Sequence, residues 1–124
     1  MIFDTNKEKG RAGMSLAIAY FGANGYTVSI PLNDTQDYDL IVDKDNILLK
    51  VQVKFTGTKE NKRYRVKLMT NGRNKNYGTV KDSSADILFV VTSNKDMYFI
   101  PKEIITQVSN VRLTDIYDKY KVEI

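Results

Sequence analysis

The sequence predicts an α+β domain, in which an N-terminal helix precedes a β-meander and a mixed central β-sheet is flanked by helices. Three observations predict it: an early segment with apolar residues at helical spacing, several short β-rich runs separated by turn residues, and one nearly continuous apolar run. The chain has 124 residues, enough for one domain with one core. We therefore treat residues 1–124 as a single domain.

The N-terminal helix is predicted over residues 6–24. Its apolar residues recur at helical spacing: Met14, Ala17, Ile18 and Phe21. Polar residues at positions 4–6 can cap the start of the helix, and Gly22 and Gly25 end it.

The rest of the chain is predicted to be mainly β-structure. The expected strands are residues 26–31, 38–43 and 47–56, which form the meander, and then 63–70, 85–92 and 97–100. The strand at 85–92 is almost entirely apolar, which is typical of a strand buried on both faces. Pro101 favours a short helix over 102–108, and the mixed segment 115–120 gives no clear prediction.

The composition excludes several kinds of chemistry. The chain has no cysteine and no histidine, so it has no disulfide, no thiolate or imidazole zinc site, and no Ser–His or Cys–His couple. Its longest apolar run, residues 87–91, is far shorter than the roughly 20 residues that span a bilayer. The N-terminus is too polar for a signal peptide. We expect a cytoplasmic protein with no membrane partner.

Basic residues are concentrated in one part of the chain. The net charge is +4, but residues 50–81 contain ten basic residues and one acid, so this segment carries +9 and the remainder −5. Such a segment attracts nucleic-acid phosphates. A basic loop or hairpin over about 57–81 is therefore expected to bind DNA through Lys59, Lys62, Arg63, Arg65, Lys67, Arg73, Lys75 and Lys81. The alternative is a solvated hairpin whose lysines protect a sheet edge.

Polar residues that can perform chemistry fall on two neighbouring predicted strands. Asp39 begins one strand, and Gln52 and Lys54 lie in the next, two residues apart and so on one face of the sheet. A carboxylate and an amide oxygen can bind Mg²⁺ or Mn²⁺, and a lysine places a cation beside the metal, which together can hydrolyse a phosphodiester with metal-activated water. Each residue alone has a simpler explanation, as a turn acid, a strand hydrogen-bonder or an edge lysine. Their shared face favours a site.

At these residues the chain resembles the PD-(D/E)XK nuclease superfamily, and within it small homing endonucleases and Holliday-junction-resolvase-like enzymes with a D…QxK site. The resemblance covers about residues 7–56 and rests on Lys9-Gly10…Gly13, Gly25-Tyr26, Tyr38-Asp39 and Val51-Gln52-Val53-Lys54. It implies a restriction-endonuclease-like fold with a four-stranded mixed sheet. It also implies that Asp39, Gln52 and the Val53 carbonyl bind the metal, while Lys54 orients the attacking water.

The chain departs from the family pattern in its first helix. Such nucleases usually contribute a glutamate there, but the matching place reads Gly13-Met14-Ser15, and methionine does not bind Mg²⁺. Glu8, the only acid of this helix, lies seven residues before Ser15 on the same helical face, which makes it a catalytic candidate. Glutamine in place of a carboxylate also weakens the affinity for a hard divalent ion.

Three functions therefore remain open. The first is a metal-dependent, site-specific DNA endonuclease of the homing type, such as a phage or mobile element encodes. The second is a junction-resolvase-like nuclease, and the third is an inactive nuclease-fold module that binds DNA or another partner. Cutting both strands of double-stranded DNA requires two active sites, which predicts a homodimer or tetramer with Tyr117, Tyr120 and the C-terminal segment as the candidate interface.

Overall fold

The computed structural model describes residues 5–33, 35–71 and 77–124. Its elements, in chain order, are α1 (Asn6–Ala23), β1 (Thr27–Ser29), β2 (Leu40–Lys44), β3 (Ile47–Thr56), β4 (Lys59–Glu60), β5 (Arg63–Lys67), β6 (Met69–Asn71), β7 (Tyr77–Thr79), β8 (Ile87–Thr92), β9 (Met97–Pro101), β10 (Asn110–Arg112) and β11 (Lys121–Val122), with 3₁₀-helices at Lys102–Ile104 and Asp115–Tyr120. The predicted α+β class, with a helix before the strands, is confirmed. No helix in the described ranges has the length and apolarity to cross a membrane.

Helix α1 occupies almost the range that its sequence predicts. Thr5 is the N-cap, and its side-chain oxygen accepts a hydrogen bond from the Glu8 backbone N–H at 3.1 Å. Threonine followed three residues later by glutamate is the capping-box pattern, which satisfies backbone donors at a helix start. After Asn24 the chain turns at Gly25, whose φ of +85° is one that glycine adopts without strain.

The central sheet has six strands in the order β1-β2-β3-β8-β9-β11. The predicted meander is confirmed, since β1, β2 and β3 pair antiparallel in succession. Strand β3 then pairs parallel with β8, which makes the sheet mixed, and every residue of β8 is buried. The sheet is wider than the four strands implied by the resemblance.

Two apolar clusters cover opposite faces of this sheet. On one face α1 supplies Ala17 and Phe21, which pack with Val51, Phe89 and neighbouring residues of the sheet. On the other face Leu88 and Val90 pack with residues of β5, β10 and the second 3₁₀-helix, namely Val66, Val111 and Tyr117. Tyr117 is only 3% exposed, so its expected role at a subunit interface is wrong, because the fold itself buries it.

Two predicted elements are shorter than their patterns indicate. The run 63–70 divides at Leu68, whose N–H donates to the Ser109 carbonyl and whose carbonyl accepts from Val80, so the chain passes from β5 to β6. The helix expected over 102–108 is a single 3₁₀-turn, Lys102–Ile104. Ile105 follows this turn in extended conformation and is buried in the core. A β-branched residue such as isoleucine has a lower helix propensity and a higher β propensity, which favours the extended conformation here.

Candidate active site

Asp39 and Gln52 lie opposite each other at the start of the β2–β3 pairing. Leu40 is the Cα partner of Val51, so one step back along β2 places Asp39 across from Gln52. The Asp39 backbone N–H donates to the Val51 carbonyl at 2.8 Å and fixes this arrangement. Because side chains alternate along a strand, Asp39, Gln52 and Lys54 occupy the face of the sheet that does not contact α1. The structure thus brings these three predicted site residues together.

The carboxylate of Asp39 also binds the backbone of β3. Its Oδ2 accepts a hydrogen bond from the Val53 N–H at 2.7 Å. The N–H and C=O of one strand residue point toward the same neighbouring strand, so the Val53 carbonyl faces the side where Asp39 lies. Burial raises the pKa of Asp39, while the Val53 N–H and the charge of Lys54 act in the opposite direction.

The ammonium group of Lys54 is held in the same partly buried region. Its Nζ donates to the Met69 carbonyl at 2.7 Å, which connects β3 to the start of β6. Burial lowers the pKa of Lys54, and attraction to Asp39 opposes this effect. Burial therefore shifts both pKa values in the direction that favours the neutral form. Groups with such shifts are typical of catalytic sites.

The oxygen atoms on this face suit a hard divalent cation. Asp39 offers carboxylate lone pairs beyond the one that accepts from Val53, Gln52 offers an amide oxygen, and Val53 offers its carbonyl. Mg²⁺ prefers such oxygen ligands and completes its shell with water and substrate phosphate. In the described ranges no three Asp, Glu, His or Cys side chains converge as a metal-binding group. The residues fit a metal that is held largely by neutral oxygens.

Helix α1 contacts β3 from the opposite side of the sheet. A Cβ at Gly13 would lie 3.3 Å from the Phe55 Cβ, so glycine permits this close approach. Met14, where the family pattern has glutamate, packs against the helix-side apolar cluster. Glu8 lies in the first turn of α1, and its backbone N–H donates to the Thr5 side chain. A catalytic role for Glu8 beside the other three site residues stays a prediction.

A cleft of about 650 Å³ opens beside Lys54. Its cations are Lys9 from α1, Lys54 from β3, and Arg65 and Lys67 from β5, and no carboxylate of residues 5–33, 35–71 or 77–124 lines it. Asn110, at the start of β10, lies on the same wall. Neither Lys9 nor Asn110 is predicted as a site residue from the sequence, because the first lies in the helix and the second far from the basic segment.

The predicted DNA-binding cations do not share one environment. Arg65 and Lys67 line the cleft, whereas Arg63 pairs with Asp115 at 2.5 Å and the Lys59 ammonium lies over the Tyr64 ring. The remaining described ones, Lys62 and Lys81, are exposed outside the cleft lining. Arg73 and Lys75 lie outside the described residues.

Comparisons with known proteins identify the family of this chain. A family model described as PD-(D/E)XK endonuclease matches residues 4–121. The structure of the bacterial homing endonuclease I-Ssp6803I aligns with a TM-score of 0.72 and 28% identity, covering 91% of this chain and 78% of that one. The crystal structure of MepB aligns at a TM-score of 0.43 and 14% identity, covering 88% of this chain and 95% of that one, too loosely to support a conclusion. Curated protein sequences give no significant match. The chain belongs to the PD-(D/E)XK endonuclease family.

Proposed function

We propose that this nuclease is a divalent-metal-dependent, site-specific DNA endonuclease. The observation that carries the proposal is the grouping of Asp39, Gln52 and Lys54 on one partly buried face, beside a cleft lined by Lys9, Lys54, Arg65 and Lys67. The likeness to a bacterial homing endonuclease at 28% identity supports action at a defined DNA site. Double-stranded DNA is the proposed substrate.

Three oxygen donors would hold the metal in this proposal: the Asp39 carboxylate, the Gln52 side-chain amide and the Val53 carbonyl. When bound, Mg²⁺ or Mn²⁺ supplies polarisation of the scissile phosphate and acidification of the attacking water. The hydrogen bond from Val53 N–H to Asp39 fixes the orientation of the carboxylate before metal arrives. The single acid gives a weaker site than two carboxylates would, so millimolar metal is expected.

Lys54 is the proposed residue that positions the attacking water and stabilises charge on the phosphate. An ammonium group has three donors, of which the Met69 carbonyl engages one. The other two can reach a water and a phosphate oxygen. The lowered pKa of Lys54 also makes proton transfer to and from this amine easier at neutral pH than for an exposed lysine.

Glu8 remains a proposed auxiliary catalytic residue. The next residue, Lys9, lines the cleft together with Lys54, so the first turn of α1 reaches this end of β3. The capping-box position of Glu8 is a structural role that competes with catalysis. Glu8 can act at the metal only if the first turn moves toward Asp39.

The proposed enzyme is a homodimer or tetramer. One active site cuts one strand at a time, so an enzyme that cleaves both strands of DNA needs two active sites. Closed symmetry would present two copies of the cleft to the two strands. Tyr120 is half-buried next to the core and remains a candidate for the subunit interface, as the sequence predicts. Sedimentation with and without DNA measures the assembly.

The test is a cleavage assay on a long DNA with many sequences, a supercoiled plasmid and a synthetic four-way junction. Each substrate is incubated with Mg²⁺, Mn²⁺ or EDTA and with wild type, Asp39→Asn or Asp37→Asn. Asp37 is the matched control because it lies two residues away and binds Ser84 at the surface. We expect discrete fragments that require metal, disappear with Asp39→Asn and persist with Asp37→Asn.

Other outcomes have distinct meanings. Cleavage of the junction alone would favour the resolvase-like function. Binding of DNA without cleavage under every condition would overturn the nuclease proposal and favour an inactive module, for which Gln52 and Met14 would then be the explanation. Equal activity of Asp39→Asn and wild type would refute the assigned metal site.

A further inference from the structure

Strands β4, β5 and β10 form a small sheet with one apolar face and one cationic face, in the order β10-β5-β4. Val66 and Val111 are directly paired and point into the core. The residues on either side of them alternate outward, so Arg65 lies opposite Arg112 and Lys67 lies opposite Asn110. Arg65, Lys67 and Asn110 all line the cleft beside Lys54, whereas Arg112 lies next to the cleft, across from Arg65 on the same face of the small sheet.

The facing arginines are an unfavourable arrangement for the free protein. Like charges directly opposite on neighbouring strands destabilise a sheet. Only one carboxylate offsets them in the described part of the chain, Glu60, at 3.3 Å from an Arg65 Nη atom. Arg112 has no ion pair there, so no carboxylate of the described residues engages its guanidinium donors. Donors left unused beside uncompensated positive charge suit an anionic ligand.

The first turn of α1 also lines the cleft. It contributes Asn6 and Lys9, and Gly57 and Thr58 after β3 are further lining residues. Cations from α1, β3 and β5 thus line one opening, and none of the lining residues in the described part of the chain is a carboxylate. Phosphates of a nucleic-acid strand are anions spaced along a chain, and a groove with positive walls is the arrangement that tracks such a strand.

We propose that this cleft is a channel for one DNA strand. In this channel Lys9 of α1 and Arg112 of β10 bind the phosphates on either side of the scissile phosphodiester bond, which lies next to Lys54. The inference rests on the proposed endonuclease function and adds to it two residues outside the basic segment. Arg65 and Lys67 lie between these two positions, and Asn110 donates a neutral hydrogen bond to the same backbone.

The experiment measures how DNA affinity depends on salt for Lys9→Gln, Arg112→Gln and the control Arg11→Gln. Arg11 is exposed and does not line the cleft, and it is two residues from Lys9, about 200° around the helix. The probe is a mixed-sequence duplex of about 30 base pairs in EDTA, so binding is measured without cleavage. Lys9→Arg and Arg112→Lys retain the charge and control for folding defects.

The affinity for DNA falls as salt rises, and each lost phosphate contact makes the plot of log affinity against log salt less steep by about 0.9. The same loss weakens binding about 8-fold at 0.1 M salt. We expect this change for Lys9→Gln and Arg112→Gln, with near-wild-type values for Arg11→Gln, Lys9→Arg and Arg112→Lys. Slopes of the two channel variants that equal that of Arg11→Gln would overturn the channel. The same loss seen with an RNA duplex but not with DNA would overturn its assignment to DNA.

The channel and the nuclease function can fail separately in this design. Reduced slopes in a protein that cuts no DNA would retain the channel and refute the enzyme. Wild-type cleavage together with unchanged slopes in both variants would retain the enzyme and refute the channel.

Discussion

The two faces of strand β3 differ in what they contribute to the protein. Val51, Val53 and Phe55 point toward α1 and join a cluster in which the rings of Phe21 and Phe89 lie 5.1 Å apart. Gln52 and Lys54 alternate with them on the other face, here called the cleft face, where Asp39 lies across from Gln52 and Lys54 lines the cleft. One strand therefore serves packing with one face and chemistry with the other, and adjacent residues have opposite consequences when they are changed.

The cleft face is maintained against a free-energy cost. Burial raises the pKa of Asp39 and lowers that of Lys54, so the ionised form of each is less favourable in the folded chain than in water. The helix face has no such cost, because its side chains are apolar and mostly buried. We expect changes on the helix face to reduce stability and changes on the cleft face to reduce activity.

The largest stability effect is expected for Phe21→Ala on the helix face. Phe21 is fully buried, and its ring contacts those of Tyr20, Tyr26 and Phe89. Its loss should decrease the free energy of unfolding by about 3–5 kcal/mol, measured by urea denaturation. Ile30→Ala, at an exposed apolar position, is the control and should change it by less than about 0.5 kcal/mol. Similar values for the two variants would contradict the packing role of the helix face.

A smaller effect of mixed sign is expected for Gln52→Glu on the cleft face. A second carboxylate opposite Asp39 adds like-charge repulsion in a buried position, which should reduce stability in EDTA by about 1–3 kcal/mol. The same charge should tighten Mg²⁺ binding on the order of 10-fold, measured by calorimetry. Gln107→Glu, at an exposed position, is the control. Unchanged Mg²⁺ affinity in Gln52→Glu would exclude Gln52 as a metal ligand.

Asp37 and Asp39 should give opposite pH dependences of stability in EDTA. Hydrogen bonds from Ser84 lower the pKa of Asp37, so its stabilising contribution is present above the ordinary pKa of 3.8 and is lost as pH falls. The raised pKa of Asp39 means that the folded state binds more protons above pH 3.8, so stability falls as pH rises through its folded pKa.

The measurement is urea unfolding of Asp37→Asn and Asp39→Asn at several pH values from 3 to about 7, each relative to wild type. Relative to wild type, Asp37→Asn should become less stable as pH rises, and Asp39→Asn should become more stable. Parallel pH dependences for the two variants would show that burial does not dominate at Asp39.

The smallest effect is expected for Glu60→Gln on the cationic sheet. Glu60 pairs with Arg65 across partly exposed side chains, so its removal should change stability by less than about 1 kcal/mol. Without this competing carboxylate, Arg65 is available to phosphate, and affinity for a DNA duplex should rise about 2- to 5-fold. Fluorescence anisotropy measures the change, with Glu123→Gln as the control. Weaker binding by Glu60→Gln would show that Glu60 itself supports DNA binding.

Much of the central sheet can be predicted from local sequence. The bounds of β3 agree with the predicted 47–56 because the preceding turn has Asp45 and Asn46, both with positive φ, a conformation that asparagine and aspartate tolerate. The period of two along β3 also places Gln52 and Lys54 on one face, and the order of the residues is enough to predict this.

The remaining features depend on contacts between distant parts of the chain. Strand β10 has three residues and exists through pairing with β5, and so short a segment has no recognisable period. The charge concentration in 50–81 identifies Arg65 and Lys67 but not Lys9 or Arg112, which the fold brings from both ends of the chain. The burial that shifts the pKa of Lys54 likewise depends on β6, whose Met69 carbonyl covers it.

The most direct test of the contrast between the two faces is Lys54→Met beside Lys50→Met, with cleavage rate and unfolding free energy measured on the same preparations. Lys50 is on the same face of β3, exposed, and four residues earlier. We expect Lys54→Met to lose about 10³-fold or more in cleavage while its unfolding free energy stays within about 1 kcal/mol of wild type or rises, and Lys50→Met to retain cleavage. Cleavage by Lys54→Met at the wild-type rate would contradict the catalytic assignment of this face.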